Sequence, residues 1–75
     1  MCYEKRHVGN DIEIVWGKDT YQFSIDQWEV ACKLVSFIDI NNPDNRLRLV
    51  RGLRDIFKMS TLNTSVLIFA ANELY

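Results

Sequence analysis

The residues in this chain best suited to chemistry are four cationic side chains that share one side of a predicted helix. Residues three or four apart on a helix are neighbours, so the spacing gathers these cations opposite an apolar stripe that includes Leu49, Leu53 and Phe57. A guanidinium group donates paired hydrogen bonds to carboxylate or phosphate oxygens. The pattern therefore predicts a surface that binds an anionic partner, formed by Arg48, Arg51, Arg54 and Lys58.

Two kinds of anionic partner suit these cations. Nucleic-acid-binding domains are usually strongly basic, whereas this sequence has a pI near 5.7, and Asp55 interrupts the cationic side. No aromatic residue on which a base could stack is interleaved with the cations. We therefore expect the acidic surface of a protein partner, with the phosphates of a nucleic acid as the alternative. A helix face that is only solvated gives the same pattern.

Residues that would support catalysis or metal binding are sparse. His7 is the only histidine, and no serine or cysteine has the setting of an activated nucleophile. The carboxylates are spaced as caps, turns and solvated faces, without the acid and histidine clusters of metal sites. Gly17-Lys18 lacks the rest of a phosphate-binding loop signature. The sequence thus predicts a protein that is not an enzyme and has no metal and no cofactor.

The segment around Gly17-Lys18 predicts a β-hairpin. A two-residue turn there places Ile12 opposite Phe23, and it puts apolar side chains on one face and polar side chains on the other. A slip of one residue would move every side chain to the wrong face, so the pattern indicates the register. Residues 1–10 carry no comparable signal, and we expect them to be mobile.

Start signals predict two helices after the hairpin. Ser24, with Gln27 three residues later, forms a capping box for a helix over residues 25–40. Asn42-Pro43 combines an N-cap with a proline at the first helical position, and begins a second helix that runs to about residue 59. The first helix is apolar around well over half of its circumference, which predicts that it is buried on two sides at the centre of the domain.

A glycine interrupts the second predicted helix. Gly52 weakens this helix by about 1 kcal/mol relative to alanine, or else it allows close approach by another backbone. The sequence does not distinguish these two explanations.

The C-terminal segment is apolar on all sides. Ser60 or Asn63 can cap a third helix there, which the ending at residues 70–74 favours, although residues 64–69 also fit a buried strand. In so short a chain one core does not easily cover a segment without a polar face. Self-association as a homodimer explains the pattern, with complete burial within one chain as the alternative. The residues expected at the interface are Val66, Leu67, Ile68 and Phe69.

Length and composition assign these elements to one domain. The net charge of the 75 residues is −1, yet residues 44–59 hold five basic and two acidic side chains. Cys2 and Cys32 provide neither a disulfide framework nor zinc-ligand spacing, and we expect neither a signal peptide nor a membrane helix. We expect a single α+β domain over residues 1–75, with a hairpin followed by two or three helices. Its expected role is that of a small cytoplasmic interaction or regulatory protein that does not contact membranes.

Overall fold

A computed structural model describes residues 3–75 as a three-stranded antiparallel sheet followed by three helices. The strands lie in chain order across the sheet, and helices α1 and α3 pack against it, while α2 packs on α3. This is the predicted α+β class with an N-terminal hairpin. The elements are β1 (Glu4–Val8), β2 (Asp11–Trp16), β3 (Asp19–Ser24), α1 (Ile25–Phe37), α2 (Pro43–Phe57) and α3 (Thr61–Leu74).

The hairpin of β2 and β3 has the predicted register. Ile12 pairs with Phe23, and the neighbouring pairs follow in antiparallel order. Gly17 has a φ of +63°, a positive value that a type II′ turn requires at its first central position. Ile12, Ile14 and Phe23 are all buried, so the apolar face of the hairpin forms one wall of the core.

Strand β1 was not predicted. It pairs along its whole length with β2, and Gly9, with a φ of +61°, begins the turn that joins them. Every residue of β1 is exposed, so the strand shows no apolar alternation in the sequence. The Gly9-Asn10 dipeptide was the available signal for a hairpin. Met1 and Cys2, which the mobile segment was also expected to include, lie outside the described residues.

The helix start signals are confirmed. The Ser24 hydroxyl accepts a hydrogen bond from the Gln27 amide at 3.1 Å, and the Gln27 side chain accepts one from the Ser24 amide at 2.9 Å. Asn42 caps α2 by accepting from the backbone amides of the next turn. For α3, Ser60 is the N-cap, and its hydroxyl accepts from the Asn63 amide at 3.1 Å. The C-terminal segment is therefore a helix.

Two helix ends differ from the prediction. Helix α1 ends at Phe37, because Ile38 has an extended backbone and the Asp39 carboxylate accepts a hydrogen bond from the Asn41 amide at 3.0 Å, which closes a turn. Helix α2 ends at Phe57, because Lys58 takes the left-handed conformation with a φ of 56°. At the C-terminal ends of α1 and α2, the local backbone conformation therefore stops the helix before the end that the apolar periodicity predicts.

The prediction that the first helix forms the centre of the domain was wrong. Only Trp28 and Ala31 of α1 are buried, whereas Phe37 at its end is 77% exposed. Helix α3 occupies the centre and packs against α1, α2 and β3. Its small residues Ala70 and Ala71 are fully buried, as expected where neighbouring elements approach closely.

Candidate partner-binding surface

Helix α2 is positioned by its apolar side. Leu49, Val50 and Leu53 are buried against the rest of the domain, and Phe57 is partly buried beside them. The helix is therefore fixed on α3 with its polar side outward. This orientation places the predicted cations at the surface of the molecule.

Three of the four predicted cations are exposed and have no ion pair within residues 3–75. These are Arg48, Arg51 and Lys58. Arg51 and Lys58 are seven residues apart, or about two helical turns, so they lie along one line of the helix. Arg48, about one turn before Arg51, also lines a groove beside α1. One end of the predicted basic face therefore borders that groove.

Arg54 differs from the other three cations because it makes contacts within the chain. Its Nε donates to the Asp55 carboxylate at 3.2 Å, and a terminal nitrogen donates to the Thr61 hydroxyl at 3.4 Å. Thr61 begins α3, so Arg54 links the two helices. Exposed pairs of this kind contribute less than about 1 kcal/mol to stability.

A hollow of about 330 Å³ lies between α2 and α3, and neither Arg51 nor Lys58 is among the residues that line it. We call it the α2–α3 hollow. Leu47 is 49% exposed and Phe69 is 37% exposed, so apolar surface is accessible there. No acidic residue lines the hollow, whose lining comprises Pro43, Arg46, Leu47, Val50, Thr61, Ser65 and Phe69.

Arg46 is a further cation at this hollow, and it lies outside the basic face predicted from the helical spacing. The carbon at the centre of its guanidinium group lies 5.8 Å from the centroid of the Phe69 ring, a cation–π arrangement. The same side chain donates to the Ile40 carbonyl at 3.4 Å. Arg46 lies four residues before Val50, on the core side of α2, so its periodicity alone gave no signal for a surface role.

The residues predicted for self-association lie in two environments. Val66, Leu67 and Ile68 are buried in the core of a single chain, and of the four only Phe69 reaches the surface. The sheet, α1 and α2 therefore cover most of the apolar segment whose lack of a polar face suggested a dimer. A homodimer, if formed, needs a different surface.

A second concave surface lies between α1 and α2. We call this groove, of about 560 Å³, the α1–α2 groove. Phe37 and Ile56 are 77% and 71% exposed beside it, so it is open to solvent and largely apolar. Its lining comprises Leu34, Phe37, Ile38, Asp39, Asn45, Arg48, Leu49, Gly52, Leu53 and Ile56.

The residues considered for catalysis are separate from these surfaces. His7 is exposed on β1. Burial raises the pKa of the Cys32 thiol, while Lys5 lowers it and Glu29 raises it further, so at neutral pH the thiol is protonated and a weak nucleophile. Within residues 3–75, no three histidine, cysteine, aspartate or glutamate side chains are grouped so as to hold a metal ion.

Lys58 combines an exposed cation with an unfavourable backbone conformation. We expect Lys58→Gly to raise the free energy of unfolding by about 1 kcal/mol, because glycine adopts a positive φ without the steric penalty of a side chain. Denaturant unfolding measures the change. Lys33→Gly within α1 is the matched control and should lower stability by about 1 kcal/mol. Destabilisation by both substitutions would contradict the assigned conformation.

In the described part of the chain, every helix is too short or too polar to cross a membrane. Comparison of the chain with protein-family models, with curated proteins and with solved structures gave no match.

Proposed function

We propose that this chain is a small, non-catalytic interaction protein that binds an acidic segment of a protein partner at the α2–α3 hollow. The observation that carries the proposal is the composition of this surface. Exposed apolar side chains line the hollow together with one cation, Arg46, no acidic residue lines it, and Arg51 follows the lining residue Val50 directly on α2. Arg51 and Lys58 have no ion pair among residues 3–75, so their charges remain available to a partner.

The chemistry of the surface suggests how such a segment binds. An apolar side chain of the partner inserts between Leu47 and Phe69, which gives the buried anchor that most interfaces depend on. Carboxylates beside that anchor then pair with Arg46 and Arg51. Charge pairing at the rim fixes orientation and speeds association, while the apolar contact supplies most of the affinity. Because the site forms on helices fixed to the core, little ordering is required on binding.

Nucleic acid binding is the weaker candidate for the same cations. Proteins that bind single strands stack bases on exposed aromatic rings. The only aromatic ring lining the hollow, that of Phe69, is already in contact with Arg46. The net charge of −1 also opposes long-range attraction of a polyanion. A regulatory role in the cytoplasm is part of the proposal, and the free thiol of Cys32 is compatible with the reducing compartment that it requires.

Charge reversal on α2 tests the proposal. We expect Arg51→Glu/Lys58→Glu to fold, because exposed charges contribute little to stability, but to capture far less partner from nuclease-treated native lysate than the parent does. Lys18→Glu/Lys33→Glu is the matched control, with the same change in net charge on the β2–β3 turn and on α1. Quantitative mass spectrometry of the captured proteins gives the comparison, and melting curves confirm folding.

Two results would contradict the proposal. Equal capture by the parent and both double variants would show that the cations of α2 are only solvated. Loss of all specific capture after nuclease treatment, together with a steep fall in binding between low and physiological salt, would favour the nucleic acid alternative.

A further inference from the structure

The α1–α2 groove exists because two helices share a neighbour without packing on each other. Helices α1 and α2 both pack against α3, but they contact one another only sparsely. Leu34, Leu49 and Leu53 therefore line an open groove where helices in a small domain would usually meet. Phe37 and Ile56 project beside this groove, with more than two thirds of each side chain exposed. Exposed apolar side chains around a groove are typical of an interaction surface.

Gly52 lines the same groove, but packing within its own chain does not require a glycine at this position. A Cβ atom at this position would meet no heavy atom within 4 Å, so no other backbone of this chain approaches it. Of the two explanations for this glycine, close approach within the chain is therefore excluded. Its conformational cost to α2 has no compensation inside the molecule. The absent side chain instead leaves space for a group from outside.

The groove carries one charge of each sign. Asp39 and Arg48 both line it and both are exposed. A surface intended for an acidic or a basic partner would carry one sign, as the α2–α3 hollow does. A surface with both signs is complementary to its own copy across a two-fold axis, because each group then faces its opposite in the other molecule. The shape of the groove is also complementary to its own copy, since the groove has both projecting side chains and an open position at Gly52.

We propose that the occupant of the α1–α2 groove is a second copy of this chain, in a two-fold symmetric dimer. Phe37 of each protomer packs over the partner's Gly52, and Asp39 of each pairs with the partner's Arg48. An interface of standard size covers about 800 Å² of each partner. That is about a sixth of the 4933 Å² surface of the chain. The dimer leaves the α2–α3 hollow, on the other side of α2, open to a partner.

Sedimentation equilibrium tests this proposal directly. At micromolar concentration we expect a mass of about twice the 8.8 kDa of one chain. Phe37→Ser/Ile56→Ser should raise the dimer dissociation constant about tenfold or more, whereas the control Val8→Ser/Leu62→Ser, at two exposed positions outside the groove, should leave it unchanged. Gly52→Leu should also weaken the dimer while α2 becomes more helical, which separates loss of the interface from loss of the fold.

A charge exchange tests the symmetry. Asp39→Arg alone and Arg48→Asp alone should each weaken the dimer, because each homodimer then opposes like charges twice. An equimolar mixture of the two variants should restore association, since every pair across the interface is again opposite in sign. Melting curves check that both variants fold, since Asp39→Arg also removes the carboxylate that accepts from the Asn41 amide. A monomeric parent, equal effects of groove and control variants, or a mixture that associates no better than its components would each overturn the proposal.

Discussion

The Phe23→Ala protein should lose about 3 to 5 kcal/mol of its free energy of unfolding, the usual cost of removing a buried phenylalanine side chain. Phe23 is almost completely buried and lies opposite Ile12 in the sheet, where it joins the hairpin to the helical layer. A domain of this size has a total stability of only several kcal/mol. The substitution should therefore leave the chain largely unfolded at room temperature. Circular dichroism during urea titration measures the effect.

Phe37→Ala is the matched control, since it makes the same chemical change at an exposed position at the end of α1. As surface substitutions usually change stability by less than about 0.5 kcal/mol, we expect its midpoint to stay near that of the parent. A parent-like midpoint for Phe23→Ala would contradict the assigned core. If the proposed dimer is populated, both midpoints should be compared at low protein concentration, because association adds to the stability of the parent.

Leu67→Asp should prevent folding altogether. Leu67 is fully buried in α3, the central helix, and belongs to the hydrophobic core. A carboxylate there loses its hydration without gaining a partner, and the leucine contacts are lost as well. The free-energy cost of these two effects together exceeds the free energy of unfolding expected of so small a domain. We expect loss of the cooperative thermal transition and of the near-ultraviolet circular dichroism of the aromatic residues.

Leu62→Asp provides the control on the same helix. Leu62 is 59% exposed in the first turn of α3, where a negative charge also interacts favourably with the helix dipole. We expect this variant to fold with stability close to that of the parent. A folded Leu67→Asp protein that has merely changed from dimer to monomer would instead place Leu67 at an interface between chains, as the sequence pattern first suggested.

Local chemistry explains which parts of the fold could be predicted. The β2–β3 register follows from a glycine turn and the alternation of apolar and polar residues around Ile12 and Phe23, both contained in a short segment. Helix starts follow from caps such as Ser24 and Asn42, whose hydrogen bonds reach only two or three residues along the chain. These features depend little on distant parts of the chain, so the sequence was sufficient to identify them.

The features that could not be predicted depend on tertiary packing. Apolar periodicity shows that a helix has a face to bury, but it does not show which neighbour covers that face, so the central position was assigned to α1 instead of α3. Strand β1 has no buried residue, and its pairing with β2 includes a cross-strand ion pair between Arg6 and Glu13 at 3.6 Å. No pattern within residues 4–8 predicts that pairing.

In the candidate site, too, some features could be predicted from local sequence and others depend on tertiary packing. Helical spacing was sufficient to find the cations of α2, but their contacts depend on how α2 and α3 meet. Arg54 reaches Thr61 across that junction, and Arg46 reaches Phe69. These pairs join residues from different helices, so the α2–α3 hollow and the part that Arg46 plays in it emerge only from the fold.

Amide chemical shifts of the labelled protein during titration with two synthetic peptides test the proposed function most directly. One peptide carries glutamates on both sides of a central pair of leucines, and the other has lysine in place of each glutamate. We predict that the acidic peptide shifts the amides of Leu47, Arg51 and Phe69, that raised salt weakens this effect, and that the basic peptide leaves these amides unchanged. Equal shifts with both peptides, or none at the α2–α3 hollow with the acidic one, would contradict the account.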